Sequence, residues 1–224
     1  MSDPFTAEWL REFAPEVIDT LRQASEPNFF GDGSIVHSLD GEPPWLWGVQ
    51  SGYVRYFATY DEVGPTLCHI FGPGSWFGIA RMARRNPTNE EARAATDTTL
   101  VRVHKSTFRQ LATRHPALWE AAIQLLAMVR VLSTQGAMDL TLRKGNMRLA
   151  AVLLRLSGYR ANTQGVAPWS VVHASQKELA ELANISLSRA TDYLAAFADA
   201  GMIELKYRRI VVTNPARLRA VIKV

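Results

Sequence analysis

Side chains that can read the edges of DNA bases are concentrated between Leu187 and Asp192. Arg189 can donate two hydrogen bonds to guanine O6 and N7, a contact worth about 1–3 kcal/mol of discrimination against another base. Leu187 can touch a thymine methyl group, and Ser188 is small and polar. Asp192 can accept from cytosine N4 or orient Arg189 by an ion pair three residues away. One helical turn with these residue types predicts sequence-specific contacts with DNA.

A second set of polar side chains is suited to phosphate groups, which position a protein on DNA without reading its sequence. This set comprises Gln176, Lys177, Ser186, Lys206 and Arg208. Residues 139–224 carry 13 Lys and Arg against 6 Asp and Glu, a net charge of +7, whereas residues 1–138 carry 12 against 15, a net charge of −3. A basic C-terminal part joined to an acidic N-terminal part favours a nucleic-acid module, with a merely solvated basic face as the alternative.

Two short helices and a hairpin must position these side chains. Ser175 and Glu178 have the spacing of a capping box, so a helix is expected to begin at Ser175. Asn184 tolerates the left-handed backbone of a tight turn, and Ser186 can cap a second helix. Two apolar strands, Met202 to Leu205 and Arg209 to Thr213, follow Gly201 and place residues 206–208 at a hairpin tip. This order is typical of a helix-turn-helix with a wing, and a helical hairpin that packs on another domain is the alternative.

Residues that could support catalysis or bind a metal are scattered along the chain. The five histidines, His37, His69, His104, His115 and His173, form no His-x-His pair, so a metal enzyme of the cupin type is not expected. The one cysteine, Cys68, excludes a disulfide framework and an iron–sulfur cluster ligated by several cysteines. Cys68 and His69 would point to opposite faces of a strand, which disfavours shared haem ligation without ruling haem out. We therefore expect no catalytic residues, no metal and no cofactor.

The location expected for the protein is the cytoplasm. A single thiol suits a reducing compartment, and the sequence has neither a secretion signal nor an uninterrupted apolar run of 18 residues. No membrane partner is expected.

Short strands dominate the prediction for the N-terminal half. Residues 1–24 read as lead-in helices, the second of which begins at Pro15. From about residue 28 to 104, frequent Gly and Pro separate apolar segments, a pattern that favours an antiparallel sandwich or barrel. The predicted strands are Leu46–Val49, Tyr53–Tyr60, Thr66–Phe71 and Thr99–His104.

A long helix is predicted from Pro116 to about Ala137. Leu118, Leu125 and Leu132 recur every seven residues, with Met128 at an intermediate position, which is the seam that paired helices require. We expect dimerisation through these four residues, with packing on the chain's own barrel as the alternative. A hinge is expected near Met138 and Asp139, followed by a helix from Met147 to Leu156 and a loop over residues 159–170.

The whole order of elements resembles the cyclic-AMP receptor and fumarate-nitrate reduction regulator family (Crp/Fnr) of bacterial transcription factors. The resemblance covers residues 24–216 and includes residues 48–55, residues 71–78, the helix-turn-helix and the wing. It implies an α+β fold with a cyclic-nucleotide-binding-like β-roll, an antiparallel jelly-roll, over residues 1–115. A dimerisation helix over 116–138 and a winged helix-turn-helix over 139–224 complete the expected domains. The expected partners are a second copy, a two-fold-symmetric double-stranded DNA operator, RNA polymerase and a small-molecule effector.

The sequence departs from this family's pattern in the effector segment. Members that bind cyclic AMP have a Gly-Glu pair and then an Arg-Ser or Arg-Thr pair, but this chain has Gly78-Ile79 and, later, residues 87–91 with two glutamates. Two carboxylates would repel a phosphate, so we expect an effector other than cyclic AMP. The candidate pocket comprises Gly78, Ile79, Ala80, Arg81 and Arg93. Arg84 and Arg85 could also grip an anion, with a solvated arginine loop as the alternative.

The recognition segment also departs from the family, because Leu187, Ser188 and Asp192 stand where the cyclic-AMP receptor has other residues. We therefore expect a different operator. The alternative function is a ligand-binding or protein-interaction module whose winged helix contacts a protein partner. Steep salt dependence of binding would indicate DNA, because phosphate contacts release counterions.

Overall fold

The structure is a computed structural model that describes residues 3–11, 13–38, 44–60, 63–83, 89–160 and 170–223. The chain divides into two compact units, and the division falls between Met128 and Val129. The predicted domain limits at residues 115 and 138 stay predictions.

The chain begins with two 3₁₀ turns, Pro4–Thr6 and Glu8–Leu10, and helix α1, Pro15–Gln23. Pro15 stands in the first turn of α1, where its missing N–H costs nothing. The Trp76 indole donates a hydrogen bond of 2.7 Å to the carbonyl oxygen of Pro4. The lead-in aromatics therefore have a packing role in the first unit, since Trp9 is 2% exposed.

Among the described residues of the first unit, eight strands form two antiparallel sheets. The strands are β1 (Glu26–Phe30), β2 (Ile35–His37), β3 (Trp45–Ser51), β4 (Val54–Tyr60), β5 (Val63–Phe71), β6 (Trp76–Phe77), β7 (Glu90–Ala94) and β8 (Thr98–His104). One sheet has the order β1-β8-β3-β6 and the other β2-β7-β4-β5. The core lies between the sheets, because both contribute buried side chains to one cluster that includes Trp47, Phe71 and Phe77. The β-roll prediction is confirmed, with β3, β4, β5 and β8 at the four predicted strands.

Three helices accompany or follow the β-roll: α2 (Ile79–Ala83), α3 (Lys105–Arg114) and α4 (Ala117–Leu142). Helix α4 is the predicted long helix, but the predicted hinge at Met138 and Asp139 is wrong because both residues lie inside it. The Asp139 carboxylate accepts a hydrogen bond of 2.7 Å from Arg143 Nε, one helical turn later. Asp139 also pairs with Arg160, so its ion pairs support helical backbone at the expected hinge.

The second unit contains the remaining elements. They are α5 (Gly145–Leu156), β9 (Val171–Val172), α6 (Gln176–Leu182), α7 (Leu187–Asp199), β10 (Ile203–Lys206), β11 (Arg209–Val212) and α8 (Pro215–Val221). The strands form an antiparallel sheet of order β10-β11-β9. Fully buried leucines from α5, α6, α7 and α8 make its core: Leu149, Leu153, Leu179, Leu194 and Leu218. Strand β9 and helix α8 were not predicted.

Candidate nucleic-acid interface and effector pocket

Helix α6 begins with the predicted capping box. Ser175 Oγ accepts a hydrogen bond of 3.2 Å from the Glu178 backbone N–H, and Glu178 Oε2 accepts one of 2.7 Å from the Ser175 backbone N–H. Two otherwise unpaired donors at the helix start are thereby satisfied. This fixes the first residue of α6, and with it the direction in which the helix leads into the following turn.

The turn and the start of α7 also have the predicted geometry. Asn184 has a φ of 48°, in the left-handed region, and Ser186 Oγ accepts from the Arg189 backbone N–H at 3.3 Å. Ala190, Leu194 and Phe197 are buried on one face of α7. The opposite face is open to solvent over its first turns, where four predicted base-reading residues are exposed: Leu187, Ser188, Arg189 and Asp192. The structure therefore brings these four together on one surface.

Arg189 and Asp192 are not paired with each other in the described part of the second unit. Both side chains are exposed, and no ion pair or hydrogen bond joins them. Of the two roles expected for Asp192, orienting Arg189 is therefore not observed. The guanidinium and the carboxylate can each meet a separate base.

Gln176 has a structural partner that sequence reasoning missed. Its Oε1 accepts a hydrogen bond of 2.8 Å from Thr191 Oγ1, which ties the start of α6 to the second turn of α7. Gln176 is half-buried and Thr191 is exposed. A phosphate contact by Gln176 would therefore use its amide nitrogen. Thr191 lies on the same exposed surface as Asp192 and is an additional candidate, signalled in the sequence only by its position one residue before Asp192.

The wing carries its cations at and beside the tip. Tyr207 is 91% exposed, and Arg208 is exposed with a φ of 54° in the turn between β10 and β11. Lys206 forms an ion pair of 3.1 Å with Glu204, and both partners are solvent-exposed, so this pair contributes little to stability. Lys177 is exposed at the start of α6. The predicted phosphate-binding residues thus lie at the ends of elements, as expected.

The candidate effector segment begins at a turn that only glycine suits. Gly78 has a φ of 89°, and a Cβ atom placed on it would lie 2.6 Å from the Trp45 carbonyl oxygen. The following α2 holds Ile79, 7% exposed, and Ala80, half-buried. Arg81 is buried, and its Nη1 lies 3.4 Å from the carbonyl oxygens of Ser38 and Glu90.

Arg93 does not belong to the interior pocket, so that part of the prediction is wrong. Alternate residues of a strand face opposite sides of the sheet, and Ala92 and Ala94 are the fully buried ones. Arg93 is 45% exposed, pairs with Glu91, and its guanidinium carbon lies 5.6 Å from the centre of the Phe57 ring. Its charge is thus engaged on the outer face. Arg84, Arg85 and residues 87–88 lie outside the described residues.

Polar side chains that the sequence reasoning did not select face the interior instead. His37 is 2% exposed, and its ring centre lies 6.1 Å from that of Tyr56 and 6.1 Å from that of Phe77. Burial, with a smaller effect from the nearby Arg81 charge, lowers the pKa of His37 to about 3, so the ring is neutral. Burial and the Glu90 carboxylate, which is hydrogen-bonded to Tyr56, raise the pKa of Tyr56.

The remaining thiol and histidine chemistry is not assembled into a site. Cys68 is exposed, whereas His69 is 6% exposed and stands edge-on to Phe71 with ring centres 4.7 Å apart. The two side chains therefore do not face a common point. Within the described ranges, no group of three or more His, Cys, Asp or Glu could hold a metal ion.

Helix α4 has two apolar faces, and one of them differs from the predicted dimer seam. Leu118 and Leu125 are 0% and 4% exposed in the single chain, so neither can contact a second copy and their assignment is corrected. Met128 and Leu132 are half-buried. Another face exposes Trp119 (45%), Ile123 (66%) and Leu126 (43%) at helical spacing. Two apolar faces also explain why α4 is, by length and composition alone, apolar enough to cross a membrane.

Comparisons with known proteins cover both units. Residues 27–115 match the cyclic nucleotide-binding domain and residues 147–221 match the Crp-like helix-turn-helix domain. The chain is 27% identical over 206 residues to the CRP-like cAMP-activated global transcriptional regulator of Mycobacterium tuberculosis, covering 91% of each chain. It is 26% identical to the cyclic AMP receptor protein of Thermus thermophilus, covering 93% of each. The structure of FixK2 from Bradyrhizobium japonicum superposes with a TM-score of 0.72 at 18% identity, over 88% of this chain and 96% of that one.

Proposed function

Because this chain belongs to the Crp/Fnr family of transcription regulators, we propose that it acts as a dimer that reads a two-fold-symmetric DNA operator through α7. The observation that carries the proposal is the exposed turn from Leu187 to Asp192, which is capped by Ser186 and braced by α6 through the bond from Thr191 to Gln176. A helix held in this way can place its first turns against base edges in the major groove.

Each exposed residue of this turn takes a separate role. Arg189 donates to guanine O6 and N7, Asp192 accepts from cytosine N4, and Leu187 contacts a thymine methyl group. Ser188 is small enough to let the helix approach the groove. The phosphate contacts fall to the flanking residues Gln176, Lys177, Ser186, Lys206 and Arg208, which supply most of the salt-dependent affinity.

Dimerisation uses the face of α4 that the single chain leaves open. Trp119, Ile123 and Leu126 present apolar side chains at intervals of four and three residues, the spacing of a seam between paired helices. Two copies joined along this face would present two recognition helices, which must lie about 34 Å apart to enter successive major grooves. Met128 and Leu132, half-buried in one copy, remain candidates for the flank of the seam.

The β-roll is proposed to sense a small effector other than cyclic AMP. The relatives from Mycobacterium tuberculosis and Thermus thermophilus are named as a cAMP-activated regulator and a cyclic AMP receptor protein. In this chain Ile79 occupies the place of the carboxylate that accepts from the ribose, and Arg93 is engaged on the outer face. Gly78, Ile79, Ala80 and Arg81 form the remaining pocket wall. The protein would act in the cytoplasm, with RNA polymerase as a further partner and without catalytic activity.

The proposal is tested by selecting bound duplexes from a random DNA pool with the purified protein. We expect enrichment of a two-fold-symmetric site, and binding that weakens steeply as salt rises. Arg189→Ala should lose the preference for the selected sequence but keep weak, salt-sensitive binding. Arg109→Ala, which removes the same charge from an exposed position on α3, is the matched control and should keep the preference. Full specificity in Arg189→Ala would refute the role given to α7.

Enrichment without symmetry would contradict the dimeric reading. The alternative is a winged helix that contacts a protein partner. Two results together would favour it: no enrichment from any DNA pool, with or without cell extract, and capture of a protein that does not weaken with salt.

A further inference from the structure

The tip of the wing consists of two residues, and neither is of a type that a tight hairpin turn favours. Lys206 on β10 pairs in register with Arg209 on β11, so Tyr207 and Arg208 alone lie between the strands. Two-residue hairpin turns favour glycine, asparagine and aspartate, because these residues tolerate left-handed backbone. Arg208 has a φ of 54°, in that left-handed region, although it carries a Cβ atom. The turn therefore holds an arginine where the local backbone energy favours glycine.

Like charges meet at the same tip. The paired residues Lys206 and Arg209 point to the same face of the hairpin, and like charges directly opposite each other destabilise a strand pair. Glu204, two residues before Lys206 on that face, forms an ion pair of 3.1 Å with it and offsets one charge. Residues 203–212 carry three cations and one carboxylate, and all three cations are exposed. A ligand with several negative charges relieves this repulsion, and the DNA backbone is such a ligand.

Tyr207 stands between these cations with 91% of its surface exposed. It is the most exposed large hydrophobic residue in the described part of the chain, followed by Phe29 at 70%. A single exposed aromatic residue needs no explanation by itself. Here, however, the exposed ring, the left-handed Arg208 and the pair of like charges fall within four consecutive residues. Local conflicts that coincide in this way are typical of functional surfaces.

We infer, on the basis of the DNA-reading function proposed above, that Tyr207 enters the minor groove beside each half-site and makes the protein prefer A·T base pairs there. The minor groove is about 6 Å wide and is bordered by two phosphate backbones. Lys206 and Arg208, which flank Tyr207 in the chain, contact the phosphates, and the ring lies between the two backbones. A flat ring roughly 3.5 Å thick fits a groove of this width edge-first.

The chemistry of the minor groove favours A·T pairs at the tip. The groove floor offers adenine N3 and thymine O2 as acceptors, to which the Tyr207 hydroxyl can donate. A G·C pair adds the guanine N2 amino group, which rises from the floor and keeps the ring from reaching it. Minor grooves of A·T tracts are also narrower and more negative, which favours the cations on either side of the ring.

The lengths of α7 and β10 give the wing tip sufficient reach. Helix α7 has 13 residues, and β10, with four residues, begins after three intervening residues. At about 1.5 Å per helical residue and about 3.3 Å per strand residue, the two segments span about 18 Å and about 10 Å. The neighbouring minor groove lies half a helical turn from the major groove, or about 17 Å along the DNA. The tip can therefore enter it while the first turn of α7 reads the major groove.

Fluorescence anisotropy with the selected operator tests the inference. Three duplexes share the base pairs selected through α7 and differ only about five positions to either side of each half-site centre, where all pairs are A·T, G·C or inosine·C. Inosine presents the same major-groove edge as guanine but lacks the N2 amino group. We expect the parent protein to bind the A·T and inosine·C duplexes about 5- to 10-fold more tightly than the G·C duplex. Equal binding of all three duplexes would overturn the inference.

Two variants and a control assign the effect to a side chain. Tyr207→Ala should bind the A·T and G·C duplexes about equally, because it lacks the ring that meets the amino group, and should keep the sequence preference of α7. An A·T preference that persists in this variant would come from groove width alone and would contradict the role of Tyr207. Arg208→Ala should weaken binding to all three duplexes alike and reduce its salt dependence. Phe29→Ala, which removes an exposed ring from β1, should keep the parent's ratio.

The outcomes separate the role of Tyr207 from the operator proposal. If the parent protein selects no DNA sequence, both fail. If it selects a symmetric site whose flanking base pairs have no effect on affinity, only the role of Tyr207 fails. Unchanged DNA binding by Tyr207→Ala, together with loss of transcription regulation in a purified system, would overturn the inference and assign Tyr207 to a protein partner.

Discussion

The open face of α4 predicts how strongly the proposed dimer depends on two side chains. Ile123 is 66% exposed and Leu126 is 43% exposed in one chain. The exposed area of the two residues together is about that of one whole side chain, and it is available for burial in a dimer. Full burial of a leucine or isoleucine contributes about 1.5–3 kcal/mol, and a symmetric interface contains every contact twice. Truncation of both residues to alanine removes roughly two thirds of this, or about 2–4 kcal/mol per dimer. The dimer Kd should rise roughly 30- to 700-fold.

Analytical ultracentrifugation of the Ile123→Ala, Leu126→Ala double variant over a dilution series measures that change. Phe29→Ala is the matched control, because Phe29 is 70% exposed on the edge strand β1 and its loss should leave the Kd unchanged. Circular dichroism should show the same helix content in all three proteins. A double variant that dimerises as tightly as the parent would refute the assignment of this face.

Three further outcomes follow from individual residues. Gly78→Ala should lower the free energy of unfolding, measured with urea, by about 2 kcal/mol or more. The alanine would be strained at a φ of 89°, and its Cβ atom would lie 2.6 Å from the Trp45 carbonyl oxygen. Ser175→Ala should cost about 1 kcal/mol in the same assay through loss of the helix cap. The pKa of His37 is about 3 in the folded protein and about 6.5 in the unfolded chain. As the pH falls below about 6.5, the unfolded chain therefore binds a proton that the folded protein does not. Parent stability should therefore fall toward pH 3 by about 1 kcal/mol per pH unit more than that of His37→Phe.

The second unit was largely predictable because its signals are local. Three predicted features are present: the cap at Ser175, the left-handed turn at Asn184 and the cap at Ser186. Each of them depends only on residues within four positions along the chain. Strand β9 was missed because a two-residue strand has no periodicity of its own. Its existence depends on pairing of Val171 and Val172 with β11, which is distant in sequence.

The first unit shows what local reasoning cannot supply. Strand β7 reads Glu-Glu-Ala-Arg-Ala, with poor strand propensity, yet it pairs with both β2 and β4 because its neighbours provide the hydrogen bonds. Without that register, Arg93 could not be assigned to a face, since a shift of one residue exchanges the two faces. The same limit applied to α4, whose heptad pattern identifies apolar faces without saying which one its own chain covers.

The short strand β9 makes the wing continuous with the helix that supports recognition. Val172 pairs with Ile210, so β11 is held on both sides, and β9 ends three residues before Ser175. The DNA contact proposed for Arg208 would therefore act along paired backbone on the start of α6. Amide hydrogen exchange should slow at Val171 and Val172 on operator binding, although neither residue is among the proposed DNA contacts. Operator binding at the wing would thus stiffen the backbone at β9, outside the proposed DNA contacts.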